Sequence, residues 1–138
     1  MTDLKLTPRK NQVTENLLQE EEKLFELEQA FGSPLNIVLP ESIRQNIKEY
    51  REVYDKHRIS GKIFLAHKAN KSEALVKEAE DQGICIDVAS KEELKDALKT
   101  GFKGDRIECT GPKNLEFLEL ALKHGCSIHL DSLSELDR

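Results

Sequence analysis

The chain has 138 residues, 38% hydrophobic and 34% charged, which suits one modest domain and excludes a complete eight-stranded β/α barrel of about 250 residues. Lys plus Arg number 21 against 26 Asp plus Glu, and a net charge of -5 excludes a surface built to neutralise a phosphate backbone, so no nucleic-acid partner is expected. No apolar run approaches the roughly 18 residues of a membrane span and MTDLKLTPRKNQ lacks the apolar core of a signal peptide, so no membrane partner is expected and the chain reads as cytoplasmic.

Residues 1–30 read as a charged helical leader. TENLLQEEEKLFELEQAF repeats Leu17, Leu18, Leu24, Phe25, Leu27 and Phe31 amid a run of Glu, the spacing of a helix with one apolar face. Such a helix can bind a partner or pack as a solvated leader on its own domain; charge runs usually mark solvated faces, which favours the second. Gly32, Ser33 and Pro34 end the pattern. PLNIVLP, partly β-branched and closed by Pro40, predicts a strand, followed by a helix from about Glu41 to Lys56.

From Gly61 the chain alternates: KIFLAH with SEALVKEAEDQ, ICIDVAS with KEELKDALKTG, RIECT with NLEFLELALKHG, and SIHLDS with SELDR. Asn70, Ser90, Thr110 and Asp131 follow successive strands about every twenty residues, the length of one βα unit, so a parallel sheet with right-handed crossovers is expected. Gly83, Gly101 and Gly125 stand where the helices should end. Cys85, Cys109 and Cys126 lie in apolar stretches and read as reduced core cysteines. With no Trp and only two Tyr and five Phe, aliphatic side chains must carry the core.

Strand alternation separates two faces. Ile84, Ile86, Val88, Ile107, Cys109, Ile128 and Leu130 are assigned to the helix side. Lys68, Asp87, Glu108, Thr110, His129 and Asp131 share the opposite face, several at the carboxyl ends of strands, where α/β folds put their ligands. Asn70 with Glu73, Ser90 with Glu93 and Ser132 with Glu135 have capping-box spacing, so part of this polarity serves to start helices. Lys68 and Asp87 resist that explanation, because an ionisable group on an inner strand face needs a partner or solvent.

FLAHKANKSEALVKEAEDQGICIDVASKEELKDALKTGFKGDRIECTGPKN, continuing to IHLDSLSEL, resembles the first half of the barrel of the fold-type III pyridoxal-phosphate decarboxylases, which include diaminopimelate and ornithine decarboxylases. The motifs in order are A-x-K-A-N at Ala66 to Asn70, D-V-A-S at Asp87 to Ser90, T-G-P at Thr110 to Pro112 and D-S-x-x-E-L at Asp131 to Leu136; FGSPLNIV resembles the segment before that barrel.

The resemblance implies an α/β fold: a partial parallel (β/α) barrel of about four βα units over residues 31–138, truncated, after the helix and strand described above. It implies pyridoxal 5'-phosphate as cofactor, Lys68 as its Schiff-base lysine and Asp87 as a residue that positions the cofactor or a nearby cation. It further implies decarboxylation of an amino acid such as diaminopimelate, ornithine, lysine or arginine, by a homodimer in the complete enzyme. A lysine at a strand end, partly desolvated, is suited to attack a carbonyl as a neutral amine.

Departures bear on this. His67 replaces the small apolar residue common before the lysine, and alternation points it toward the helices. GPKN carries Lys113 one place earlier than the frequent G-P-x-K, which leaves it unassigned. Alternation does not aim His124, Cys126 and His129 at one metal. The family's glycine-rich phosphate loop, its E-P-G-R-like segment, its downstream acid and its partner-subunit cysteine segment have no counterpart in the sequence. The expectation is therefore the N-terminal part of such an enzyme, inactive alone, with a non-catalytic binding homologue as the alternative and a racemase or cofactor carrier of the same barrel group less favoured.

Overall fold

The computed structural model describes residues 11–137. Helix α1 (Gln12–Gln19) begins where the Asn11 side chain accepts the Thr14 N–H at 2.9 Å, filling one of the amide positions a helix start leaves open. At Glu20 the backbone leaves helical geometry (φ -92°, ψ 63°), and α2 (Glu21–Phe31) follows. The expected single leader helix is thus two. Leu17, Leu24 and Leu27 are half-buried and α1 lies against α3 (Pro40–His57), while Phe25 and Phe31 face solvent. The first ten residues of the leader lie outside the described residues.

The strand expected within PLNIVLP does not form. Residues 35–39 run without ladder pairing, and Ile37 and Val38 are exposed. A β-branched run becomes a strand only where a neighbouring edge can pair with it, and this one serves as the link into α3. Pro40 takes the first turn of α3, where its missing N–H is not needed. Ile47 buries the inner face of that helix, and Arg44 grips Glu78 of α4 (Glu73–Asp81) with two hydrogen bonds of 2.8 and 2.9 Å.

The expected alternation follows: β1 (Phe64–Ala66), α4, β2 (Cys85–Val88), α5 (Lys91–Thr100), β3 (Ile107–Cys109), α6 (Leu115–Lys123), β4 (Ser127–Ile128) and α7 (Leu133–Leu136). The four strands are parallel and stand in chain order, β1-β2-β3-β4. Ala66 pairs with Asp87, Asp87 with Glu108 and Glu108 with Ser127, so these residues form one inward level. The other side of the sheet is the core: Ile84, Ile86, Val88, Ile107 and Cys109 are buried with Val76, Leu94 and Phe117 from α4, α5 and α6. One face is therefore dry and helix-covered, and the other is free to carry chemistry.

All three cysteines are free thiols; Cys85 and Cys109 are buried and Cys126 is half-buried, as expected of core cysteines. Hydrogen bonding to Cys126 and burial push the Cys109 thiol up.

Two glycines set the joints at the amino-terminal end of the sheet. Gly101 closes α5 at φ 116°, in left-handed geometry that side chains resist. Gly104 lies so close to the α6–β4 turn that a Cβ on it would stand 1.9 Å from the His124 carbonyl oxygen. At the β4 edge, Leu115, Leu122, Leu130 and Leu136 are exposed around an apolar groove of about 440 Å³.

Candidate functional site

The site begins where β1 ends. After Ala66 the chain makes a 3₁₀ turn, His67–Ala69, which sends consecutive side chains to opposite sides: His67 is 1% exposed, against 59% for the Lys68 side chain. Lys68 reaches over the inner face of the sheet, and its Nζ stands 3.8 Å from Oδ2 of Asp87. Asp87 is 16% exposed, and its other oxygen accepts the Thr110 hydroxyl at 2.6 Å. The carboxylate is thus held from one side and presents its free oxygen to the lysine. At 3.8 Å the attraction is electrostatic without being a formed hydrogen bond, so the lysine end is drawn toward Asp87 but not tied down.

The same face carries a second pair on the β4 side. His129 Nε2 contacts Glu108 Oε1, joining β3 to the chain just after β4. The sheet therefore brings Lys68, Asp87 and Thr110 into one cluster and Glu108 with His129 into another. Asp131 joins neither: its N–H donates to Glu135, and it lines a cleft of about 640 Å³ between the starts of α5, α6 and α7.

Two of the three capping pairs form. Ser90 Oγ accepts the Glu93 N–H at 3.2 Å and Glu93 accepts the Ala89 N–H at 2.9 Å. Ser132 caps α7 through the Glu135 N–H at 3.3 Å. Asn70 with Glu73 is not such a pair: α4 starts after Ser72, and Asn70 accepts the Ser72 N–H in a local turn.

Both glutamates also do more than cap. Glu93 binds Lys71 at 3.1 Å, which turns Lys71 away from the role open to Lys68. Burial raises the Glu93 pKa, but the Ala89 N–H and Lys71 outweigh it and hold the carboxyl below its usual range. Glu135 accepts the Lys113 N–H at 2.6 Å and meets the Lys113 ammonium at 3.2 Å. The Asp131 and Lys113 amides likewise hold Glu135 below the ordinary carboxylate range. Lys113, unassigned by sequence, is thus a buried strut between the T-G-P and D-S-x-x-E segments. Its displaced position in GPKN hid this pairing.

The model of the pyridoxal-dependent decarboxylases, pyridoxal binding domain, matches residues 40–138. The chain belongs to that family. It is 35% identical over 116 residues to diaminopimelate decarboxylase of Bacillus methanolicus, covering 82% of this chain and 27% of that protein. It is 36% identical over 115 residues to an uncharacterized protein of Sinorhizobium fredii, covering 83% and 25%. Among solved structures, one from Aquifex aeolicus superposes with a TM-score of 0.75 at 32% identity over 83% of this chain and 28% of that one. A lysine/ornithine decarboxylase of Vibrio vulnificus, solved with cadaverine, superposes at 0.70 and 24% identity over 86% and 32%, which speaks for the fold alone. The chain thus spans about a quarter of the length of these curated relatives. No described helix is long and apolar enough to cross a membrane.

The residues present fit one part of what a pyridoxal-binding site requires. Lys68 offers an accessible amine at a strand's carboxyl end, and Asp87 offers a fixed counter-charge. Gly101 and Gly104 are committed to a helix end and a backbone contact at the opposite end of the sheet.

Proposed function

We propose that residues 31–138 are the lysine-bearing N-terminal half of the barrel of a pyridoxal-phosphate-dependent amino-acid decarboxylase, with residues 1–30 as a helical leader. Lys68 is the covalent anchor of the cofactor and Asp87 its electrostatic partner. The reading rests on one observation above all: an accessible amine 3.8 Å from a carboxylate that Thr110 immobilises, on the sheet face the helices leave open. When bound, pyridoxal phosphate supplies a conjugated ring that accepts the electron pair left by carbon dioxide. The chain's own contribution is to hold and release a proton at Lys68 Nζ. Asp87 stands beside Nζ as its counter-charge, and Lys68, its proton passed to the solvent around its exposed end, is the nucleophilic amine.

The substrate class that the similarity to diaminopimelate decarboxylases supports is a diamino acid such as diaminopimelate, ornithine, lysine or arginine. The complete enzyme is a cytoplasmic homodimer on this reading. The test is borohydride reduction of the complete polypeptide with pyridoxal phosphate, followed by peptide mapping. The pyridoxyl group is expected on Lys68, and a label on Lys62 or Lys71 overturns the assignment. Lys68→Ala should abolish turnover and leave the melting curve in place, since an exposed strand-end side chain fills no cavity.

A further inference from the structure

Among the described residues, Nδ1 of His67 is the one buried side-chain nitrogen or oxygen with no hydrogen-bond partner. It belongs to the residue directly before Lys68, in the same 3₁₀ turn, on the opposite side of the sheet. A buried nitrogen is rarely left unpaired, because it gives up water and gets nothing in exchange. The nearest charged oxygen is Oε2 of Glu93, 3.9 Å away, just beyond hydrogen-bonding reach. Glu93 is itself buried and is steadied by Lys71 and the Ala89 N–H, so its carboxylate is a fixed target. A proton on His67 turns this near miss into a charge-assisted contact.

We propose that His67 is a positioning residue for Lys68: with its proton on Nδ1, it closes onto Glu93 and clamps the turn that presents the lysine on the other face. This deepens the assignment of Lys68 and rests on it. The charged groups around the imidazole come from every element packed there. Glu93, Asp96 and Lys99 face it from α5, Glu73 from the start of α4, and Lys71 from the loop between; all but Glu93 line a cavity of about 170 Å³ with His67. Lys99 is engaged by Glu73 at 3.8 Å and Lys71 by Glu93, and Glu93 is the carboxylate that stands nearest to Nδ1. The two sides of the turn are thereby coupled. Three consecutive residues share one hydrogen-bonded turn, and fixing the imidazole fixes the backbone from which the amine projects.

The experiment uses the 138-residue chain. Nitrogen NMR of the imidazole gives the spectroscopic signature: the Nδ1 signal of His67 at acid pH should show a hydrogen bond that Glu93→Gln weakens. Reductive labelling with pyridoxal phosphate, quantified at Lys68 relative to the distant Lys123, gives the second readout. The ratio should change about threefold or more in His67→Leu, and in His67→Gln should the leucine variant not fold. An Nδ1 signal indifferent to Glu93→Gln, or the same labelling ratio in the parent and both His67 variants, overturns the proposal. If Lys68 takes no label while the Nδ1 signal responds to Glu93→Gln, the anchor assignment falls and the His67–Glu93 contact stands.

Discussion

Replacing Gly104 with alanine tests how the sheet is held in register beneath the site. An added Cβ would lie 1.9 Å from the His124 carbonyl oxygen and 2.7 Å from the backbone of Gly125, where contacts below 3.0 Å essentially never occur. Backbone must therefore retreat by about 1.1 Å, the difference between those two limits. Crowding of this kind destabilises by about 1–3 kcal/mol, and rigid backbone partners put this case at the upper end. Against it, alanine stiffens the unfolded chain, a gain of about 0.4–1 kcal/mol. The net loss is about 2 kcal/mol, or roughly 8 °C in melting temperature for a domain of this size. The displaced turn leads directly into β4, so His129 should also move away from Glu108. Urea unfolding followed by circular dichroism measures the first effect and the His129 ring resonances the second. A variant as stable as the parent would mean that the turn has slack, and that the β3–β4 register does not depend on this contact.

Glu78, Glu93 and Glu135 are all held below the ordinary 4.5, Glu78 chiefly by its hydrogen bond to Arg44. The stability they contribute is complete above that value and is lost as pH falls through their lower folded values, because the unfolded chain takes up protons first. Acid titrations of the unfolding free energy should show this decline, with a shallower slope in Glu135→Gln; an equally steep slope in the variant contradicts the role of that carboxylate. Iodoacetamide should modify half-buried Cys126 well before Cys109, whose thiol is buried and pushed up; mass mapping that finds Cys109 first refutes the thiol arrangement. The exposed leucines around the β4 groove should make the 138 residues self-associate in dilute solution, and Leu122→Glu with Leu136→Glu should shift them toward monomer. Sedimentation showing a monomer in both proteins refutes this.

What the sequence made legible was what depends on near neighbours in the chain. Alternation within Ile84 to Val88 separates the buried Ile86 from the partly open Asp87, and the period of two needs no knowledge of the rest of the molecule. Ser90, Ser132 and Gly101 mark helix limits for equally local reasons. The errors fall where a distant partner decides. PLNIVLP has strand-like composition but no edge to join, and Asn70 has the spacing of a cap but turns back two residues early. The Lys113–Glu135 strut and the gap between His67 and Glu93 are created by packing elements over twenty residues apart, which no motif encodes. At the site, Lys68 and Asp87 were legible as inward charges; Thr110 as the residue that fixes Asp87 required the β2–β3 register.

The strands stand side by side in the order in which they are translated. Each new βα unit emerging from a ribosome finds its permanent neighbour already present, so loop closures are short and assembly proceeds in step with synthesis. Lys68 follows the first strand laid down and Thr110, which steadies its carboxylate partner, follows the third. A nascent chain therefore displays the amine well before the carboxylate beside it is locked.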